Sequence, residues 1–250
     1  MNASALSATL LDLIRQQPNA EKAVTYLTQQ ADSYHSNPAQ AVFYRVFTAL
    51  PRFVGKQTIT VSPEKNQEIQ ALRPGFTVGG WSLDRLARVW WLRQLASDDS
   101  AVYFSTIENL FLAAEMNELA ALYSALPVLD YPEHWRFQAT EAVRSNMGPV
   151  QEAIMLHNPY PAEQLDEPAW NQLIMKAFFS DKPVEQITGF QERTNEKLAR
   201  IAIDYAQERR AAGRAIHPEL WTLVKPFVTE TNRTELEDLF RTHGPAGAPI

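Results

Sequence analysis

The residues best placed to do chemistry lie in one stretch, Asn146 to Phe179, which reads NMGPVQEAIMLHNPYPAEQLDEPAWNQLIMKAFF. Val150, Ala153, Ile154 and His157 fall at i, i+3, i+4 and i+7, so the spacing predicts a helix whose apolar stripe ends in an imidazole. A histidine so placed is either a satisfied core residue or a base whose pKa is lowered by burial and raised by a nearby carboxylate. Asn158, Tyr160, Glu163 and Asp166 follow on a proline-stiffened turn. Glu152 and Asn146 lie on and before the same helix, and either serve as caps and inter-helix bonds or converge with His157 on one concave surface. Beyond the turn, Asp166 is the expected N-cap of a second helix, with Glu167 and Pro168 suited to its first turn. Its apolar stripe is Trp170, Leu173, Ile174, Ala177 and Phe178. Trp170 reads as a core anchor, and Asn171 sits at the margin of the stripe, where burial would require hydrogen-bond partners. The candidate pocket set is therefore His157, Asn158, Tyr160, Asn171, Glu152, Asn146, Trp170 and Asp166.

Several other chemistries find no support in the residues. With no cysteine, a disulfide, a thiolate metal site and a cysteine nucleophile are all excluded. The five histidines, at 35, 134, 157, 217 and 243, show no metal-ligand spacing, so no metal is expected. There is no phosphate-cradling or dinucleotide motif and no GxSxG, and no cofactor is implied.

Those candidates must be positioned by helices. Leu6, Leu10, Leu13 and Ile14 mark a first amphipathic helix over 4–17, and Ala20–His35 a second. Pro38 opens a third through Phe43, Val46, Phe47 and Leu50, expected to end or kink at Pro51. Residues 56–81 change character, with three glycines and two prolines, and read as an irregular connection holding one short helix, Pro63–Leu72. After Ser82, helices follow closely, the longest late one spanning Phe190 to Ala212 with Gly213 at its C′ position. Short joins between helices predict an all-α fold of stacked antiparallel pairs, either a HEAT-like α-solenoid or an irregular helical array. The expected organisation is an N-terminal helical unit at 1–55, the connection at 56–81, a helical-repeat-like region at 82–240 and a disordered tail at 241–250.

Net charge −6 and only one dense basic cluster, Arg209, Arg210 and Arg214 at a helix end, argue against nucleic acid. No run approaches the ~20 apolar residues of a membrane helix. The first residues lack the basic start and unbroken apolar run of a secretory signal, so a cytoplasmic chain is expected.

Two blocks, NPYPAEQLDEPAWNQLIMKAFF at 158–179 and DYAQERRAAGRAIHPELWTLVKPF at 204–227, resemble the EboA family. The resemblance implies a place in a bacterial and algal gene cluster beside a membrane prenyltransferase, a dehydroquinate-synthase-like cyclase and TIM-barrel proteins. That cluster is linked to moving a secondary-metabolite precursor, such as the scytonemin monomer, out of the cytoplasm. It carries no catalytic set onto this chain. The expected function is an adaptor or small-molecule binder in that traffic, with other ebo-cluster proteins or a small metabolite as partners. Two alternatives stand beside it: an enzyme using a pocket around His157, and a subunit that stabilises a pathway enzyme.

Overall fold

The computed structural model describes residues 3–241, and all of its regular structure there is helical. Of the tail expected at 241–250, residues 242–250 lie outside the described residues, while Arg241 is not tail but the last residue of a helix. The chain divides between Gln164 and Leu165 into two compact units.

The first unit holds α1 (Ala3–Arg15), α2 (Glu21–Ser36), α3 (Gln40–Val54), α4 (Pro63–Leu72), α5 (Leu83–Leu92), α6 (Ser100–Ala113), α7 (Met116–Ala125), α8 (Arg136–Arg144), α9 (Gly148–Met155) and α10 (Tyr160–Gln164). The second holds α11 (Glu167–Phe179), α12 (Glu196–Ala211), α13 (Glu219–Val224) and α14 (Arg233–Arg241). Their starts follow from local chemistry. Ser62 accepts from the Lys65 amide ahead of Pro63, Asp99 accepts from the amides of Ala101 and Val102, and Glu115 forms a capping box with Glu118.

In the first unit α5 packs on α1, α3 and α7, and α7 packs in turn on α9. α5 is buried along its whole length apart from a partly exposed Arg85. Trp91 stacks on Phe43 with ring centroids 5.1 Å apart, and its indole N–H donates to the Phe43 carbonyl at 3.1 Å. α3 continues through Pro51 to Val54 instead of stopping there, and Gly55, at φ 84°, ends it. Likewise, the late helix begins at Glu196, capped by Asn195, and not at Phe190.

The connection at 56–81 is held by its backbone. Ile59 N–H donates to Trp81 O at 2.9 Å and Leu83 N–H to Gln57 O at 2.8 Å, a single antiparallel bridge between Thr58 and Ser82. On the other side, the buried Gln17 amide pairs with the main chain of Thr60, accepting its N–H at 2.8 Å and donating to its carbonyl at 2.9 Å. The side chain thus stands in for a neighbouring strand. Gln17→Ala is expected to cost about 1–3 kcal/mol, because it strands both Thr60 groups. Urea unfolding measures this, and a loss under about 0.5 kcal/mol would show that water replaces the amide without cost.

Candidate functional site

The site is best built from the turn after α9. Val150, Ala153 and Ile154 are buried as the spacing predicts, but α9 ends at Met155. His157 lies beyond the helix in the left-handed region, at φ 52°, with its side chain exposed. The imidazole therefore does not extend the buried stripe, because the chain reverses one residue before that position is reached. Glu152 and Asn146 are also exposed.

Asn158 is buried and drives this reversal. Its Nδ2 donates to the carbonyls of Ala153 at 2.8 Å and Tyr123 at 3.1 Å, while Oδ1 accepts the Tyr160 N–H at 3.0 Å. One side chain thus satisfies C-terminal carbonyls of both α9 and α7 and starts α10. Tyr160 follows, fully buried, its hydroxyl donating to Pro132 O at 2.5 Å. Burial pushes that phenol above its ordinary pKa and keeps it protonated.

Around Tyr160 the first unit forms a cleft of about 400 Å³. One wall is the end of α4, with Leu72, Arg73 and Pro74. A second is the segment Pro127–Pro132, and the third is Tyr160, Glu163 and Gln164 of α10. Arg73 clasps it, donating to Pro127 O at 2.8 Å and, through both terminal nitrogens, to the Glu163 carboxylate at 2.7 and 2.5 Å. A bidentate pair of this kind fixes orientation as well as charge.

The Pro127–Pro132 wall is held rigidly. Arg93 donates to Val128 O, Tyr103 Oη accepts the Asp130 N–H at 3.1 Å, and Trp135 Nε1 donates to Asp130 O at 2.9 Å. Burial also raises the Tyr103 pKa. Tyr131 adopts φ 55°, a costly conformation for a residue with a Cβ, and anchors its hydroxyl on Ser97 O at 2.8 Å. Behind it, His134 stacks on Phe104 at 3.6 Å and meets Glu108 Oε1 at 2.8 Å.

A second polar cluster lies beneath the surface of the same unit. Arg88 is 1 % exposed, with Nη1 2.5 Å from Asp84 Oδ2, Nη2 3.7 Å from Glu118 Oε1, and Nε donating to Phe47 O at 3.2 Å. One turn earlier Arg85 lies over the Trp81 ring at 4.5 Å and donates to Ser124 Oγ at 2.7 Å. Burial draws its pKa down to about 10, against the pull of Glu152 and Asp84.

The remaining candidates belong to the second unit. Asp166 caps α11 as expected, accepting the Ala169 N–H at 2.9 Å. Asn171 is buried and exchanges two hydrogen bonds with Asn195, whose own oxygen caps α12. Trp170 is fully buried, with the Arg193 guanidinium 4.9 Å from its ring centroid. Burial lowers the Arg193 pKa, and Asp166 and Glu167 oppose that shift.

Of the candidates drawn from the sequence, Tyr160 lines the cleft and Asn158 sets its position. Arg73, Asp130, Tyr131 and Glu163 complete it. Glu163 is on the singled-out turn, but Arg73 lies ninety positions away in sequence and nothing local marks it. The buried ion cluster did leave a mark, since Asp84 and Arg88 stand at i and i+4 inside the apolar run LDRLARVWWL. Among the described residues no group of three or more histidine, cysteine or carboxylate side chains could hold a metal ion, and no helix is long and apolar enough to cross a membrane.

Fold and site together define an all-α protein with an open, proline-walled cleft in its first unit. A family model described as "Metabolite traffic protein EboA" matches residues 7–225, and the chain belongs to the EboA family, with the role in metabolite traffic that the family's name carries. No curated protein and no solved structure matches the chain.

Proposed function

We propose that the protein acts in metabolite traffic as a non-catalytic carrier or adaptor, and that the cleft around Tyr160 is the seat of a small metabolite. The observation that carries this reading is the cleft's construction. Its volume of about 400 Å³ suits a small ligand, and its walls are locked by backbone hydrogen bonds and prolines before any ligand arrives. Such pre-organisation lowers the entropic cost of binding. Leucine, proline and tyrosine walls favour a flat apolar body. The rim carries Asp130 and Glu163 against the single cation Arg73, which is already paired, so a neutral N–H or O–H donor is preferred over an anion. Polar groups near the cleft hold one another or the backbone, an arrangement that favours holding and passing on a ligand, to other ebo-cluster proteins, over making bonds.

Two probes of one shape test this: 1-naphthol, a neutral donor, and 1-naphthoate, an anion. Calorimetry is expected to give a dissociation constant of roughly tens of micromolar for naphthol and at least about fivefold weaker binding for naphthoate. Tyr131→Ala, which removes an aromatic wall, should weaken naphthol about tenfold. Absence of binding by both, equal binding by both, or an unchanged Tyr131→Ala variant would each overturn the assignment.

A further inference from the structure

We propose that the cleft reads its ligand at two side chains, the Asp130 carboxylate and the Gln164 amide. It therefore takes a flat apolar ring system that carries a hydrogen-bond donor at one edge and a carbonyl at another. The inference rests on the reading of the cleft as the seat of a small metabolite, and it names the class of that ligand and the residues that select it.

The assignment follows from the hydrogen-bonding capacity that the chain leaves open. Polar side chains lining the cleft are those of Arg73, Asp130, Tyr131, Tyr160, Glu163 and Gln164. Tyr160 donates its hydroxyl proton to Pro132 O at 2.5 Å and Tyr131 to Ser97 O at 2.8 Å, so both protons are taken. Arg73 uses Nε on Pro127 O and both terminal nitrogens on Glu163, which occupies both oxygens of that carboxylate. Those four side chains are committed to the walls.

Asp130 is not. Its main chain is pinned on both sides, the N–H by Tyr103 Oη at 3.1 Å and the carbonyl by Trp135 Nε1 at 2.9 Å. Its exposed carboxylate has no hydrogen bond and no ion pair among the described residues. The Arg93 guanidinium lies near enough to feel that charge, but donates to Ser7 Oγ and Val128 O. A carboxylate on a fixed backbone with open lone pairs is an acceptor that a ligand O–H or N–H fills with a charge-assisted bond.

Gln164 supplies the complement. Its Oε1 accepts from Arg136 Nη2 at 3.4 Å, which turns the amide nitrogen away from that guanidinium. The nitrogen then has no acceptor among the described residues, and it suits a ligand carbonyl. Asp130 belongs to the Pro127–Pro132 wall and Gln164 to α10, so the two address different edges of a ring held between them.

Calorimetry on the full chain tests the assignment with two probes of one ring system: 1-naphthol, which donates, and 1-acetylnaphthalene, which only accepts. Asp130→Ala should weaken 1-naphthol about tenfold and leave 1-acetylnaphthalene within about twofold of wild type. Gln164→Ala should do the reverse, weakening 1-acetylnaphthalene about fivefold and leaving 1-naphthol within about twofold. Circular dichroism confirms that both variants keep their helices. The inference requires both losses, each confined to its own probe. Wild-type binding of 1-naphthol without these selective losses overturns it and leaves the cleft as a ligand seat. Equal loss of both probes in either variant overturns it too, since that residue then shapes the wall instead of reading the ligand. Binding of neither probe by the wild type overturns the inference together with the reading on which it rests.

Discussion

Replacing Arg88 by methionine is expected to destabilise the first unit by about 3–5 kcal/mol, among the largest losses available to a single substitution in this chain. Arg88 is 1 % exposed, and the variant would leave Asp84 and Glu118 buried without the cation that holds them. The Phe47 carbonyl would lose its donor too. Lysine should not rescue the position, because one ammonium cannot reach two carboxylates and a carbonyl with the planar fork of a guanidinium. Replacing all three, as Asp84→Leu/Arg88→Met/Glu118→Leu, should recover most of the loss, since apolar residues of similar volume carry no desolvation cost. Glu118 also contributes to the α7 capping box, and the Phe47 carbonyl stays without its donor, so recovery should stop about 2 kcal/mol short. Urea unfolding followed by tryptophan fluorescence gives these differences. A loss below about 1 kcal/mol for Arg88→Met would show that water reaches the carboxylates and that the cluster is not a sealed element of the core.

This cluster shows where sequence and structure part. Helices were legible because burial imposes a period of 3.6 on apolar residues. Phe43, Val46, Phe47 and Leu50 are all buried in α3, and Pro63–Leu72 is a helix with the bounds its Ser62 cap and Pro63 start predict. Errors fell at helix ends, where one residue's dihedral decides. The spacing of His157 predicts a place on α9, yet the helix ends before it and a left-handed backbone at that residue leaves it exposed. Pro51 predicts an end or a kink, but α3 runs on to Val54, and the Phe47 carbonyl that Pro51 has no N–H to serve accepts from Arg88 Nε instead. The cleft was only half legible. Tyr160 and Glu163 announce themselves on a proline-rich turn, whereas their partner Arg73 is brought in by tertiary packing alone. Asp84 and Arg88 could have been singled out, because two opposite charges four residues apart in a helix buried all round must be paired.

Asn158→Ala is expected to cost about 3 kcal/mol and to remove ligand binding at the cleft at the same time. The substitution strands the Ala153 carbonyl and the Tyr160 N–H, each a buried group whose loss of partner costs about 1–3 kcal/mol, and takes from the Tyr123 carbonyl one of its donors, leaving it the Leu126 N–H. Because Asn158 sets where α10 begins, Tyr160 and Glu163 would lose their register against Pro132 and Arg73. Asn158→Asp makes the sharper test, since it keeps the shape and the acceptor but aims a second acceptor at two carbonyls. The introduced carboxyl would be favoured in its neutral form, in which it can donate once, so its folded pKa should rise above the unfolded value near 3.9. A group raised in this way contributes stability that is present below about pH 4 and is lost as pH climbs through the folded pKa. Relative to wild type, the aspartate variant should therefore be least stable near pH 7–8 and recover part of the deficit as pH falls toward about 4. A deficit that stays constant across that range, or an alanine variant that loses under about 1 kcal/mol, would mean that water already serves these carbonyls. In that case the walls of the cleft would not depend on Asn158.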